Sequence, residues 1–209
     1  MKKIAIIGSG RMGKALAGTF FRHKIPFVWS ARDLKKIEDI NRTWGSDISI
    51  VPLDQIFEAD ILIPTFKYLD CIQWISTHRE KLKGKILFDI NVPFNERFDA
   101  LITSEGESAS EIIQRLLPST HVVGIFKNTF WVVFDTPLAG NIRSDVYVTC
   151  DDDRLTREVI ALMAVLPFRF FNGGSLKRNR IIEQMTLFSR ELSLRSGNYP
   201  LVSFHLWGL

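Results

Sequence analysis

Ile4-Ala5-Ile6-Ile7-Gly8-Ser9-Gly10-Arg11-Met12-Gly13 is the stretch that decides the fold. The apolar, largely β-branched run Ile4 to Ile7 fits a strand buried on both faces, and the glycine that ends it fits a turn. From Arg11 to Arg22, Met12, Leu16 and Phe20 recur at helical spacing, so the segment reads strand, turn, helix. In that context Gly8, Gly10 and Gly13 make a G-x-G-x-x-G pattern with a task for each glycine. Gly8 allows a tight turn, Gly10 leaves room for a pyrophosphate to approach the backbone, and Gly13 lets the helix pack closely on the strand. The helix N-terminus then faces the phosphates. A dinucleotide site that includes Gly8, Ser9, Gly10, Arg11, Met12 and Gly13 is therefore expected.

Outward from this start the alternation of apolar runs and helical patterns continues. Phe27 to Trp29, Ile48 to Val51, Ile61 to Ile63, Ile86 to Phe88 and Val122 to Ile125 read as strands. Asp33 to Trp44, Leu69 to Leu82 and Ala109 to Leu117 read as the helices between them. That rhythm predicts an α/β, Rossmann-type doubly wound, mostly parallel sheet. After about residue 126 the pattern changes. Phe130 to Phe134 is apolar and aromatic, Asp145 to Cys150 alternates as a strand, and Arg154 to Leu166 is helical. Phe168 to Phe171 suits a short strand, Gly173-Gly174 a turn, and Leu176 to Arg195 a last helix with a broad apolar face. The expected division is a dinucleotide-binding domain over residues 1–126. Residues 127–209 form a small C-terminal extension completing the sheet and covering the nicotinamide side.

The end of the second strand separates NAD from NADP. An acidic residue there would accept hydrogen bonds from the ribose hydroxyls and repel a 2′-phosphate. Trp29 is followed instead by Ser30, Ala31 and Arg32, with Lys35 and Lys36 one helical turn on, a set suited to a dianionic phosphate. NADP is the expected cofactor, with Ser30, Ala31, Arg32 and Lys36 at its 2′-phosphate; Asp33 reads as a helix N-cap. Thr65 and Phe66, and Asn91 with Pro93, follow the fourth and fifth strands, at the carboxyl ends where open α/β sheets place ligands. They are expected as cofactor walls, with helix capping by Thr65 and turn shaping by Pro93 as equal alternatives.

Composition narrows the function classes. The 209 residues carry 27 Lys+Arg against 23 Asp+Glu, a net charge of +4, with 46% hydrophobic and 24% charged residues. This is ordinary globular composition, without the basic stripe that nucleic-acid recognition needs. No window approaches a membrane span, and the four-residue apolar start is too short for a secretion signal. Cys71 and Cys150 are far apart and form neither a disulfide framework nor a thiolate metal site, so a reduced, cytoplasmic setting is expected. No G-x-S-x-G elbow or H-E-x-x-H pattern is present, and Asp151-Asp152-Asp153 lacks the spacing of a calcium loop. No metal site is expected. Hydride transfer needs positioning more than acid-base groups, so the lack of a recognisable catalytic residue does not count against it.

Several motifs in order resemble those of the deazaflavin (coenzyme F-420)-dependent NADP oxidoreductases and related dinucleotide-binding oxidoreductases. They are the glycine loop, Ser30 to Arg32 with Lys36, Ser108 to Ile112, Val122-Val123, Val146 to Asp153, Gly173 to Leu176 and Arg180 to Glu183. The resemblance implies hydride transfer between NADP(H) and a small-molecule acceptor with a flat redox ring, a deazaflavin or a flavin. Relatives often carry Lys-Ala-Phe-Asn-Thr near the nicotinamide, where this chain has Phe126-Lys127-Asn128-Thr129. Either Lys127 replaces the Asn or one residue is inserted. Two other readings stay open: a non-enzymatic NADP-binding sensor, and an imine reductase resembling pyrroline-5-carboxylate reductase, whose long helical dimerisation domain is not seen here. The apolar face of the last helix, with Phe204, Trp207 and Leu209 beyond it, predicts a homodimer.

Overall fold

A computed structural model describes residues 2–209. The N-terminal apolar run forms β1 (Ile4–Ile7), buried along its length, and leads into α1 (Arg11–Arg22). β2 (Val28–Ser30), α2 (Leu34–Thr43) and β3 (Ser49–Ile50) follow. After them come β4 (Ile61–Pro64), α3 (Tyr68–His78), β5 (Ile86–Asp89), α4 (Ala109–Leu116) and β6 (His121–Gly124). The chain then forms a small hairpin, β7 (Leu138–Ala139) and β8 (Ile142–Arg143), before β9 (Asp145–Thr149), α5 (Asp153–Met163), β10 (Arg169–Gly174) and α6 (Asn179–Arg195).

Eight strands make one sheet in the order β10-β9-β6-β5-β4-β1-β2-β3. Strands β1 to β6 pair in parallel, with β1 between β2 and β4. The chain therefore winds outward in both directions from β1, and the gap between the loops after β1 and β4 is the switch point where such sheets bind ligands. β9 and β10 are parallel to each other, but β9 meets β6 antiparallel through a single pair, Gly124 with Thr149. One hydrophobic layer runs from Ile4, Phe20 and Trp29 through Phe88 and Phe126 to Val146, Met163 and Phe168, so it crosses residue 126 without a break. The second layer packs α3 and α4 on the opposite face through Cys71, Ile75, Ile113 and Leu117.

Helix starts follow from local chemistry. Asp33 accepts from Lys36 N at 3.0 Å, and Asp152 accepts from Arg154 N and Leu155 N, each satisfying donors the helix itself leaves free. Ser108 and Glu111 form a reciprocal capping box on α4. Several boundaries differ from the sequence reading, among them β10, which runs through the Gly173-Gly174 expected as a turn. The helix expected to reach Leu82 ends at His78 and tightens into a 3-10 turn over Arg79–Leu82; Leu176–Arg178 is likewise a 3-10 turn before α6. The aromatic stretch contributes only a short 3-10 turn, Trp131–Phe134. The tail after α6 is not loose. Asp145 N donates to Phe204 O, Leu206 N donates to Asp145 Oδ2, and Arg169 donates to the carbonyls of Leu206 and Leu209. None of the helices among the described residues is long and apolar enough to cross a membrane.

Candidate functional site

The glycine loop is held from below by backbone. Gly8 N donates to Ser30 O at 2.7 Å, and the Gly8 carbonyl accepts from Trp29 Nε1 at 2.9 Å. Gly8 has φ 126°, open to glycine and costly for other residues. A Cβ on Gly13 would collide with the Gly8 carbonyl oxygen, which is the close helix-strand contact the sequence implies. A Cβ on Gly10 would meet nothing within 4 Å. Gly10 thus opens onto free space at the N-terminus of α1, whose first turn carries no acidic residue and whose N-cap makes no side-chain hydrogen bond. Free N–H groups at a helix N-terminus beside open space suit a phosphate.

That space is an open cavity of about 830 Å³ between the loop and α2, lined by Ser9, Gly10, Arg11 and Lys14 on one side and Lys35, Lys36 and Asp39 on the other. The cations outnumber the carboxylates there even with Asp33 included, so the donor set matches a pyrophosphate and a further phosphate. Lys14 joins from the loop's own helix; its position one turn after Arg11 was the available signal. Met12 is half-buried against the core, and Arg32 is exposed beside α2. Ser30 and Ala31 are buried. The Ser30 hydroxyl has no partner, and its carbonyl holds Gly8.

The expected walls after β4 and β5 are placed unequally. Thr65 does not cap α3, whose N-cap is Lys67; its hydroxyl donates to Ile7 O at 2.9 Å and abuts Gly8, locking the end of β4 to the end of β1. Phe66 packs edge-on against Trp74 at 5.8 Å, within the α3 layer. Asn91 and Pro93 are buried at the end of β5. The Asn91 side chain donates to Asp89 Oδ1 at 3.1 Å.

Behind Asn91 lies an ionic cluster that the sequence reading did not foresee. Phe126 has φ 56°, and the next residue, Lys127, runs into the interior at 2% exposure. Its ammonium donates to Asp89 Oδ2 at 2.7 Å, to Glu183 Oε1 at 2.9 Å and to the Asn91 carbonyl. Asp89 also accepts from Ser110, and Glu183 from Ala109 N at the start of α4. Burial alone would push the Lys127 ammonium down, but attraction to Asp89 and Glu183 outweighs it and holds the amine charged. Burial pushes the Glu183 carboxyl up, against the pull of Lys127. The Tyr68 phenol beside the cluster is pushed up to about 12 by burial and then by Asp89. The Cys71 thiol is raised by the same two causes. The cluster joins β5, β6, α4 and α6 at the carboxyl edge. Its signals were a lone lysine between Phe126 and Phe130, and an acid on the apolar face of the last helix. Among the described residues no group of His, Cys, Asp and Glu could hold a metal ion.

Comparison with known proteins bears on the fold and the cofactor. Residues 3–93 match the family described as NADP oxidoreductase coenzyme F420-dependent. The chain is 28% identical over 199 residues to an F420-dependent NADP reductase of Methanocaldococcus jannaschii, covering 88% of this chain and 89% of that protein. Among solved structures, a hypothetical protein of Sinorhizobium meliloti superposes with TM-score 0.77 at 25% identity, over 86% of this chain and 88% of the other. A chain from Arthrobacter sp. FB24 assigned as an F420-dependent NADP reductase superposes with TM-score 0.80 at 21% identity, over 94% and 96%. In sequence and in fold, the chain is similar to the coenzyme F420-dependent NADP oxidoreductases.

Proposed function

We propose that this chain transfers a hydride between NADP(H) and a small-molecule acceptor with a flat redox ring, a deazaflavin or a flavin. The observation that carries the reading is the cation-lined cavity at the N-terminus of α1, open at Gly10 and continuous with Lys35 and Lys36 of α2. NADPH, when bound, supplies the hydride. The protein's share is to bind, orient and exclude water. Gly8, Ser9, Gly10, Arg11, Met12 and Gly13 shape and donate to the pyrophosphate site, with Lys14 adding charge. Arg32 and Lys36 take the 2′-phosphate, and Ser30 and Ala31 support them from beneath. Thr65, Phe66, Asn91 and Pro93 form the walls towards the reacting ring, with Thr65 and Asn91 nearest the strand ends. Residues 1–126 carry the cofactor, and 127–209 complete the sheet and cover the reacting side.

NADPH oxidation followed in parallel with F420, FMN, FAD, quinones and pyrroline-5-carboxylate tests the reading. Turnover with a flat-ring acceptor supports it. Turnover with the imine alone would move the protein to the imine reductases, and tight NADPH binding with no turnover at enzyme levels matching substrate would make it a cofactor sensor.

The same reading includes a homodimer. Ile181, Phe188 and Leu192 lie along one side of α6 at seven- and four-residue steps and are each more than half exposed, with Trp207 at 79%. Because the tail is pinned to its own subunit, the α6 stripe is the surface left to pair. Light scattering that returns the 24.0 kDa monomer at all concentrations would reject the dimer. Two buried free thiols fit a reduced, cytoplasmic setting.

A further inference from the structure

Cations and aromatic rings are interleaved in one file across the carboxyl edge of the sheet. Lys67 Nζ lies 6.0 Å from the centroid of Phe98, and the Arg190 guanidinium lies 5.8 Å from Phe98 and 5.3 Å from Tyr199. Tyr199 meets Trp131 edge-on at 5.9 Å, and Arg11 sits 4.0 Å over Trp131. Lys67, Phe98, Trp131 and Arg11 come from the segments after β4, β5, β6 and β1; α6 and the tail add Arg190 and Tyr199. The file therefore joins the loops of all four central strands, where the reacting ends of cofactor and acceptor meet in a sheet of this order.

Its cations lie against rings and not against carboxylates. Among the described residues none of Lys67, Arg190 and Arg11 forms an ion pair, whereas many other exposed cations pair with a carboxylate three or four residues away. Asp99, on the same loop as Phe98, is already hydrogen-bonded to Asn95 and paired with Arg97. Arg190 is half-buried, held between two rings, and its Nε is buried with no hydrogen-bond partner. A guanidinium in that state is poised for an anion: its planar fork is fixed by the rings, and an incoming oxyanion would satisfy it at little ordering cost.

We propose that Arg190 is the specificity-determining residue of this file, the group that reads an anion on a planar acceptor docked against the rings. The half-buried faces of Phe98, Trp131 and Tyr199 take the ring, and Arg190, with Lys67 on the other side of Phe98, takes the phosphate or carboxylate, while Arg11 stays with the cofactor. The inference rests on the hydride-transfer reading for the identity of the site, but not for its test.

FMN and riboflavin share one ring system and differ by a phosphate. Each is titrated by calorimetry into protein saturated with NADP+. FMN is expected to bind at least about tenfold more tightly than riboflavin, as one charge-assisted contact implies. Arg190→Gln should remove that preference by weakening FMN alone, leave NADPH affinity unchanged, and be partly rescued by Arg190→Lys. A carboxymethylflavin matching FMN would identify a general anion site, and one matching riboflavin a phosphate site. Equal FMN and riboflavin affinities in the wild type, no binding of either, or equal loss of both in Arg190→Gln would overturn the proposal. FMN preference without NADPH oxidation would sink the hydride-transfer reading and leave the docking site standing. NADPH oxidation at equal efficiency with both flavins would do the reverse.

Discussion

The glycine loop and the Lys127 cluster stand at neighbouring strand ends and are built by opposite means. The loop works through missing side chains: Gly8 takes a conformation others resist, Gly13 admits the helix, Gly10 faces open space, and the surrounding cations stay in solvent. The cluster works through long side chains brought together out of solvent, Lys127 with Asp89 and Glu183. An exposed cation is cheap to keep and free to meet a ligand. A buried one must be matched by its neighbours, so it fixes the positions of four elements and binds nothing from outside. The contrast teaches that this molecule keeps its exposed cations apart from the buried ion pairs that hold its strand ends in place.

Breaking the cluster should give the largest effect. Lys127→Met leaves two buried carboxylates without a cation, and a loss of about 3–5 kcal/mol in urea unfolding is expected. The variant should also steepen the pH response that the raised Glu183 carboxyl already gives. With Lys127 gone, burial raises the folded pKa of Glu183 further above its unfolded value, so the folded state binds the extra proton. Stability is then greatest on the acid side and falls as pH rises from about 4.3 through the folded pKa. Adding Glu183→Gln should flatten that slope. A variant with wild-type stability at neutral pH would show that the cluster is not holding the four elements.

On the loop side, Arg32→Ala should weaken NADPH by roughly ten- to a hundredfold, about 1.5–3 kcal/mol, with much less effect on NADH. Equal loss of both cofactors in calorimetry at fixed salt would make Arg32 a supporting residue. Tighter NADH binding by the wild type would overturn the NADP assignment itself.

The glycines sharpen the comparison. Gly13→Ala should cost about 1–3 kcal/mol of stability, because its Cβ meets backbone that cannot move aside. Gly10→Ala should leave the melting temperature unchanged yet weaken NADPH by about tenfold, since the added methyl occupies only the ligand's space. Matching stability losses at both positions would refute the division between packing glycine and ligand glycine.

The same contrast explains what could be read in advance. The loop, β1 and α1 lie within consecutive residues, so turn chemistry and periodicity were enough, and the capping role of Asp33 followed from its place before α2. Lys127 meets Glu183 across 56 positions of chain, a pairing no local pattern encodes. The direction of β9 was equally hidden, although alternation over Asp145 to Cys150, unlike the continuous run of β1, hinted at antiparallel pairing. The capping alternative for Thr65 failed because its hydroxyl's partner, the end of β1, becomes a neighbour only when β4 pairs beside it.

The single backbone pair between β6 and β9, Gly124 with Thr149, divides the sheet into two leaves sewn by one stitch. Across that seam the leaves are joined by side chains: Asn179 donates to the Thr149 and Ser110 hydroxyls, and Asn128 donates to the Asp145 carbonyl. Side-chain fastenings can be exchanged one at a time, whereas a ladder of backbone bonds must be kept whole. Lineages descended from such a molecule could thus refit the outer leaf to new acceptors while inheriting the nucleotide leaf intact.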